Sequence, residues 1–554
     1  MTMQPTPPPP SRHPLISDPP QTVFVIALCL LYVLTGLFGR DPWKGDDAEH
    51  IAVALGFARS GEWLIPRLAG QISLDGGPLY HWTAALAGMA GEWVGLTFAD
   101  AARLASALFV SLWLLGSAGA ARELYGAPAA RIAPLIGIAS IGAITHLHDA
   151  QSLTVALAAI GLTMWALALI ARRPVHGAAV LGLGLALSGL GTGLWLTALL
   201  LVATFTMPLL PVWRTVAATP GRMLALPAGA LAGSLLAASW LFALHASAPA
   251  LAGRVLAAEV ANLTPDLDAL ANSTTVWLKL LAWYAWPALP VALWALWQRR
   301  NQWRSPVLML PLTVLLLLFV QLAGGGNGRN QLALPMLAPL AVLGSSGWPR
   351  LRRGAANALD WFGIMTFTLV GALVWLGWIA MVAGWPERLA RTFARLEPGF
   401  TMPFSWPAVS VAAVASLAWM ILLWRSPRTP TRGAVSWACG VVLIWLLVCS
   451  LWLPWVDYGR SYRDIARQLA GRMPADTECV VYSGLQESQR AALYYFLKLK
   501  PLNMVGNTAD ACKALIAYHG RGSRAPSPGE GWTLEWEGRR PGDRHERFLL
   551  YLRE

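Results

Sequence analysis

Two adjacent acids, Asp46 and Asp47, stand in the stretch 40–82, just after the first long apolar run of the chain. An ionisable group at a membrane boundary is costly, roughly 2.5–3.5 kcal/mol if drawn to the bilayer centre, so it is read first as functional. A carboxylate at the start of a helix stays ionised with help from the helix dipole. It can then accept or orient a hydroxyl proton. The competing reading is structural, since either acid could cap a helix over 48–59.

A third acid, Asp149, lies in the polar stretch THLHDAQS at 145–152. His146 and His148 beside it could orient a phosphate or titrate near neutrality. Against that stands an interfacial polar loop in which Asp149 caps the next helix. A His–His–Asp metal site is a third reading, and the spacing HxHD supports it only weakly. Arg67 and Arg329 each offer a planar fork suited to phosphate. Arg329 reads equally well as a helix-end arginine reaching for the interface. Backbone N–H groups at Gly76–Gly77 and Gly191–Gly193 could take part of an anion's charge.

The elements that must position these groups follow from composition. The chain has 554 residues, 56% hydrophobic and 13% charged, with mean hydropathy +0.50. Repeated apolar runs near 20 residues read as membrane-spanning helices. The net charge of +13 does not point to nucleic acid, because Lys and Arg are scattered through short loops between apolar runs. There they set orientation, the basic loops facing the cytoplasm.

Residues 1–21 are rich in proline and read as a disordered cytoplasmic tail. Residues 22–39 form a first helix that is retained, since no small-residue cleavage site follows. About thirteen spans are expected between residues 22 and 455, among them 127–145, 177–190, 194–213 and 276–298. A first outer loop over 40–100 holds interfacial helices, including the amphipathic segment 78–96. From 456 to 554 the pattern becomes that of a small soluble α/β domain. The odd number of spans places this domain in the periplasm, on the side of the acidic loops. In that oxidising compartment Cys479 and Cys512 could pair.

Taken in order, the first outer loop has a tryptophan, the acidic pair and a helix, then Ser60 to Trp63 with Pro66, then Asp75 ahead of Pro78 to Trp82. This order resembles the first periplasmic loop of GT-C membrane glycosyltransferases, with the protein O-mannosyltransferases and lipid A aminoarabinose transferases nearest. The resemblance spans roughly residues 20–345. It implies that Asp46 is the catalytic acid of the loop and Asp149 the second site acid. It sets Asp75 and Arg329 at the substrates; Tyr80 in the Pro78 to Trp82 motif, Thr192, His146, His148 and Arg67 are further candidates for substrate binding, as is Asp47, which suits a helix cap better. Two lysines usual in the family are missing, for Gly76 and Thr192 occupy their places.

What the resemblance implies is a bacterial inner-membrane enzyme. It would pass a sugar from a polyprenyl-phosphate carrier to a lipid, glycan or protein acceptor at the periplasmic face, among membrane lipids and without nucleic acid. The chemistry requires no cofactor, and a divalent metal is compatible with it but not needed. Two rivals remain: a GT-C scaffold that only binds lipid, and a transporter or flippase. The latter should carry ionisable groups inside its spans, whereas here they gather in outer loops.

Overall fold

In the computed structural model, residues 19–553 are described apart from 74–75, 208–219, 265, 303, 326–328, 427–428, 430, 504–511, 521–530, 541 and 544–545. Asp75 and most of the proline-rich tail therefore lie outside the described residues. The chain is a bundle of apolar helices followed by a small mixed sheet, as the sequence predicts. Among the described residues nine helices are long and apolar enough to cross a membrane, or ten if one bent pair counts as a span. Three shorter apolar helices, Gln21–Leu34, Ala127–Ala139 and Leu194–Thr206, accompany them.

At the centre stands Leu153–Ile170, whose residues are almost all buried. It packs on Leu104–Tyr125, where a Cβ built on Gly116 would come within 2.5 Å of the Gly161 backbone. With no water to drive association inside a bilayer, such small residues let helix backbones meet and gain dispersion energy.

Two expected spans are broken, and both breaks serve the outer loops. The segment expected as one helix over 127–145 stops at Ser140, which is extended, and restarts as Ile141–His146. The freed Ile141 N–H donates to the Trp286 carbonyl at 3.1 Å. That carbonyl belongs to the second break, where Leu267–Tyr284 and Ala288–Gln298 meet at 102° instead of forming one helix over 276–298. Proline at 287 lacks the N–H a continuous helix would need there.

The first outer loop carries the helix Asp46–Ser60. It begins after Gly45 and ends at Gly61, a left-handed residue whose N–H returns to the Phe57 carbonyl. Its apolar residues Ile51, Val53, Leu55 and Phe57 are buried. The helix Leu79–Trp93, which the sequence places in this loop, packs on it, with Tyr80 and His81 against His50. It is not among the helices apolar enough to span.

Beyond residue 460 a five-stranded sheet runs in the order Lys500–Asn503, Cys479–Ser483, Ala514–His519, Arg547–Leu552, Thr533–Gly538. The first three strands are parallel and the last two antiparallel. Helices Arg463–Ala470 and Glu487–Leu497 accompany it, the latter against Asp46–Ser60. Cys479 and Cys512 are joined as a disulfide, which realises the pairing open to them in the sequence.

Candidate active site

Asp47 is the electrostatic centre of the outer loops. Its side chain is 3% exposed and meets Arg103 at 2.8 Å and Arg40 at 3.2 Å. It also accepts the Ala150 N–H at 2.8 Å and the Trp43 N–H at 3.2 Å. Burial alone would push this carboxyl up, but the two guanidinium groups and the hydrogen bonds outweigh it. They hold Asp47 well below the usual carboxylate range. The expectation that Asp47 caps its helix or touches substrate is corrected here. No side chain caps that helix, and both Asp47 oxygens are committed to the protein.

Asp46, one residue earlier, is half-buried and differently held. Its Oδ2 accepts two amide hydrogens, from Gln151 Nε2 at 2.6 Å and Gln331 Nε2 at 2.7 Å. Asp149 belongs to the same network. Arg40 donates to it at 2.8 Å while also reaching Asp47, and the side chain keeps 29% of its surface open. Burial pushes the Asp149 carboxyl up, with Arg40 pulling the other way. His146 feels both Asp46 and Asp149, yet burial leaves it below the ordinary imidazole value. Its ring stacks on Tyr284 with centroids 6.2 Å apart. Asp46, Asp149 and His146 thus lie within electrostatic reach of one another, brought together by two outer loops.

The other sequence candidates divide. His148 is buried, donates from Nε2 to the Tyr32 carbonyl at 2.8 Å, and stacks on Trp445. It points away from His146 and Asp149, so the three do not converge as ligands. Among the described residues no group of three or more His, Cys, Asp and Glu is arranged around one point. Tyr80 is fully buried and shares a hydrogen bond of 2.8 Å with Ser106, whose hydroxyl also donates to the Asp149 carbonyl. It shapes the Asp149 loop from behind rather than facing a substrate. Thr192 donates to the Ser188 carbonyl inside its own helix.

The amides just past Gly191–Gly193 are also taken. Gly193, at φ 109°, lets the Glu259 carboxylate approach closely, and Glu259 accepts the N–H groups of Leu194 and Trp195. An internal carboxylate therefore sits where that turn was expected to receive an anion. Arg67 pairs with Glu62 at 3.5 Å on the surface. Arg329 is exposed, two residues before the glutamine that touches Asp46.

The sheet domain straps the loop that leads into the acids. Arg463 and Ser461 bind the Asp41 carboxylate, the latter at 2.5 Å. Asp457 accepts from the Asp41 N–H and the Trp43 indole, each at 2.8 Å. Lys44 pairs with Glu546, a buried carboxylate also held by Arg540, Tyr462 and Gln489.

Beside the group of Asp46, Asp149 and His146 lies an apolar cavity of about 790 Å³, lined by Ile141, Ile144, Trp283, Trp286, Phe362 and Trp437 among others. Ile144 and Trp283 carry its wall to the His146–Tyr284 stack. A chamber lined almost wholly by apolar side chains suits an apolar ligand.

No family model and no curated protein sequence matches the chain. Solved structures do. ArnT from Cupriavidus metallidurans bound to undecaprenyl phosphate superposes with a TM-score of 0.66 at 17% identity, over 96% of this chain and 97% of that one. Its apo form gives 0.65 at 16%, with the same coverage. The fold is GT-C. Its GT-C bundle holds the acidic outer loops at one end, and the C-terminal sheet packs on those loops.

Several residues of this candidate site were not singled out in the sequence: Arg40, Arg103, His50, His81, Gln151 and Gln331. Arg103 carried a signal, a charge next to Asp100 at the head of a spanning helix. His50 and His81 meet at 2.9 Å between Nδ1 and Nε2, and burial, then His50, keeps His81 well below the ordinary imidazole value. His50 lies one turn after Asp46, a spacing that puts the two on one helix face.

Proposed function

We propose that this protein is a membrane glycosyltransferase. It moves a sugar from a polyprenyl-phosphate carrier to a hydroxyl-bearing lipid, glycan or protein at the periplasmic face of the bacterial inner membrane. One observation carries the reading: Asp46, a carboxylate not consumed by any cation among the described residues, acts on His146 together with Asp149, and Ile144, two residues before His146, lines a 790 Å³ apolar cavity. The cavity suits an isoprenoid chain, and the polar pocket suits its phosphate-linked sugar.

In this reading the acceptor oxygen forms a bond to the anomeric carbon from the face opposite the phosphate. The carbon–oxygen bond to phosphate breaks with its electron pair staying on the leaving group, and the acceptor proton passes to Asp46. The sugar inverts. Arg329 supplies charge toward the departing phosphate. Asp149, tied to Arg40, completes the pocket wall. A bound ArnT structure with undecaprenyl phosphate supports the choice of carrier class.

The test is transfer from a labelled polyprenyl-phosphate sugar in reconstituted membranes. Asp46→Asn should abolish transfer while the protein stays folded and still retains the lipid; undiminished turnover would dismiss the assignment. The missing lysines and the Glu259 carboxylate at the Leu194 turn favour a second reading, a scaffold that binds the lipid without turnover. Wild-type protein that holds the carrier but transfers nothing to any envelope fraction would establish that one.

A further inference from the structure

We propose that Gln151 and Gln331 are positioning residues that hold Asp46 as a base, a role that rests on the reading of Asp46 given above. Two neighbouring carboxylates are treated in opposite ways. Asp47 lies under two guanidinium groups, whereas Asp46 is held by two neutral amides, both on Oδ2. A cation at that distance would form an ion pair and oppose protonation of the carboxylate. An amide fixes direction with a smaller electrostatic penalty when the proton arrives.

Both donors converge on one oxygen, Oδ2, and so fix its place between the two loops. Among the described residues no hydrogen bond to Oδ1 is found. The amides are themselves fixed. Gln151 is 2% exposed, its Oε1 accepts the Leu153 N–H at 3.3 Å, and its carbonyl accepts the Thr154 hydroxyl at 2.7 Å. Gln331 sits in the 3-10 segment Asn330–Met336, stiffened by Pro335. They come from two different outer loops, so Asp46 is aimed only when both loops are in place.

Gln331 is the better position to vary, since it is half-buried and its backbone is held by its own turn. Gln331→Met keeps length and removes the donor; Gln331→Lys keeps length and adds a cation. The measurement is kcat and KM for a labelled polyprenyl-phosphate sugar, with melting temperature and lipid retention on the same samples. The Met variant should lose roughly 10- to 100-fold in kcat, the scale on which a misplaced catalytic group costs rate. Its KM should stay within about twofold, because binding is not what the amide serves. The Lys variant should lose more than the Met variant at neutral pH, and Gln331→Asn should recover less than half of wild-type kcat because its amide is one carbon short.

Unchanged kcat in both the Met and Lys variants would overturn the proposal, as would a loss confined to KM or to melting temperature. Asp46→Asn separates the two claims. If it abolishes transfer while the Gln331 variants turn over normally, only the positioning role fails. If Asp46→Asn turns over normally, the base assignment fails first.

Discussion

Arg103 grips Asp47 side-on, its Nε 3.0 Å from Oδ1 and its Nη2 2.8 Å from Oδ2, with both side chains out of reach of solvent. Arg103 also ties the loop backbone, donating to the carbonyls of Leu37, Arg40 and Asp41. Removing the negative charge leaves two buried cations short of a partner. Asp47→Asn should therefore destabilise the protein by about 3–5 kcal/mol, the cost of breaking a buried pair from one side. Thermal unfolding in detergent checks this. Asp46→Asn should unfold within a degree or two of wild type, so the two neighbouring substitutions part company.

Acid should weaken the outer loops through His148. Burial pulls this imidazole down to about 4, with its hydrogen bonds to Tyr32 and Ile144 opposing the fall. The folded state then refuses a proton that the unfolded chain accepts near pH 6.5. Stability is full above pH 6.5, falls as pH drops toward 4, and levels off below that. The loss is on the order of 3 kcal/mol across the window. Asp47 adds nothing to this slope, because its carboxyl stays ionised to lower pH and its contribution is lost only in stronger acid. His148→Gln should make the fall of melting temperature between pH 6.5 and 4 shallower without abolishing it, because burial also holds His81 and His146 below the ordinary imidazole value; an unchanged slope would assign the acid sensitivity to those two.

Filling the apolar chamber should act on the donor and not on the base. Ile144→Trp puts a large ring into the 790 Å³ cavity two residues from His146. Retention of a fluorescent polyprenyl phosphate should fall at least tenfold, equivalent to about 1.4 kcal/mol. A short-chain donor that barely enters the cavity should be affected less. Equal losses for both chain lengths would mean that the substitution disturbs the polar pocket itself.

The disulfide gives a separate handle on the sheet domain. Cys479 and Cys512 are 33 residues apart and join the beginnings of two paired strands. Closing such a loop restricts the unfolded chain by about 3–4 kcal/mol. Cys479→Ser should speed hydrogen exchange in Cys479–Ser483 and Ala514–His519 while the spanning helices keep their protection. Faster exchange throughout the bundle would show that the sheet and the membrane helices unfold together.

The helical bundle and its C-terminal sheet were legible because apolar runs of membrane length and alternating strand patterns are local signals. The breaks at Ser140 and around Trp286 were not. Each run is apolar enough to continue, and it is the Ile141–Trp286 hydrogen bond across helices that makes stopping affordable. Asp46 and Asp149 could be picked out because acids at span ends are rare. Their partners could not: Gln151 and Gln331 are ordinary polar residues until three loops meet. The division of labour between Asp46 and Asp47 was half visible. Which acid would be buried depended on Arg40 and Arg103, the second of them 56 positions further along.

The ion pair between Lys44 and Glu546 joins residues 502 positions apart. A ribosome adding about 5–20 residues per second needs roughly 25–100 s to travel that distance. During that interval the first loop lacks its strap, and Asp41 and Trp43 still wait for Arg463 and Asp457. If the proposed transfer reaction holds, competence for it should arrive with the last strands to be translated, so a nascent chain halted before residue 546 stays inert although Asp46 and Asp149 have been made.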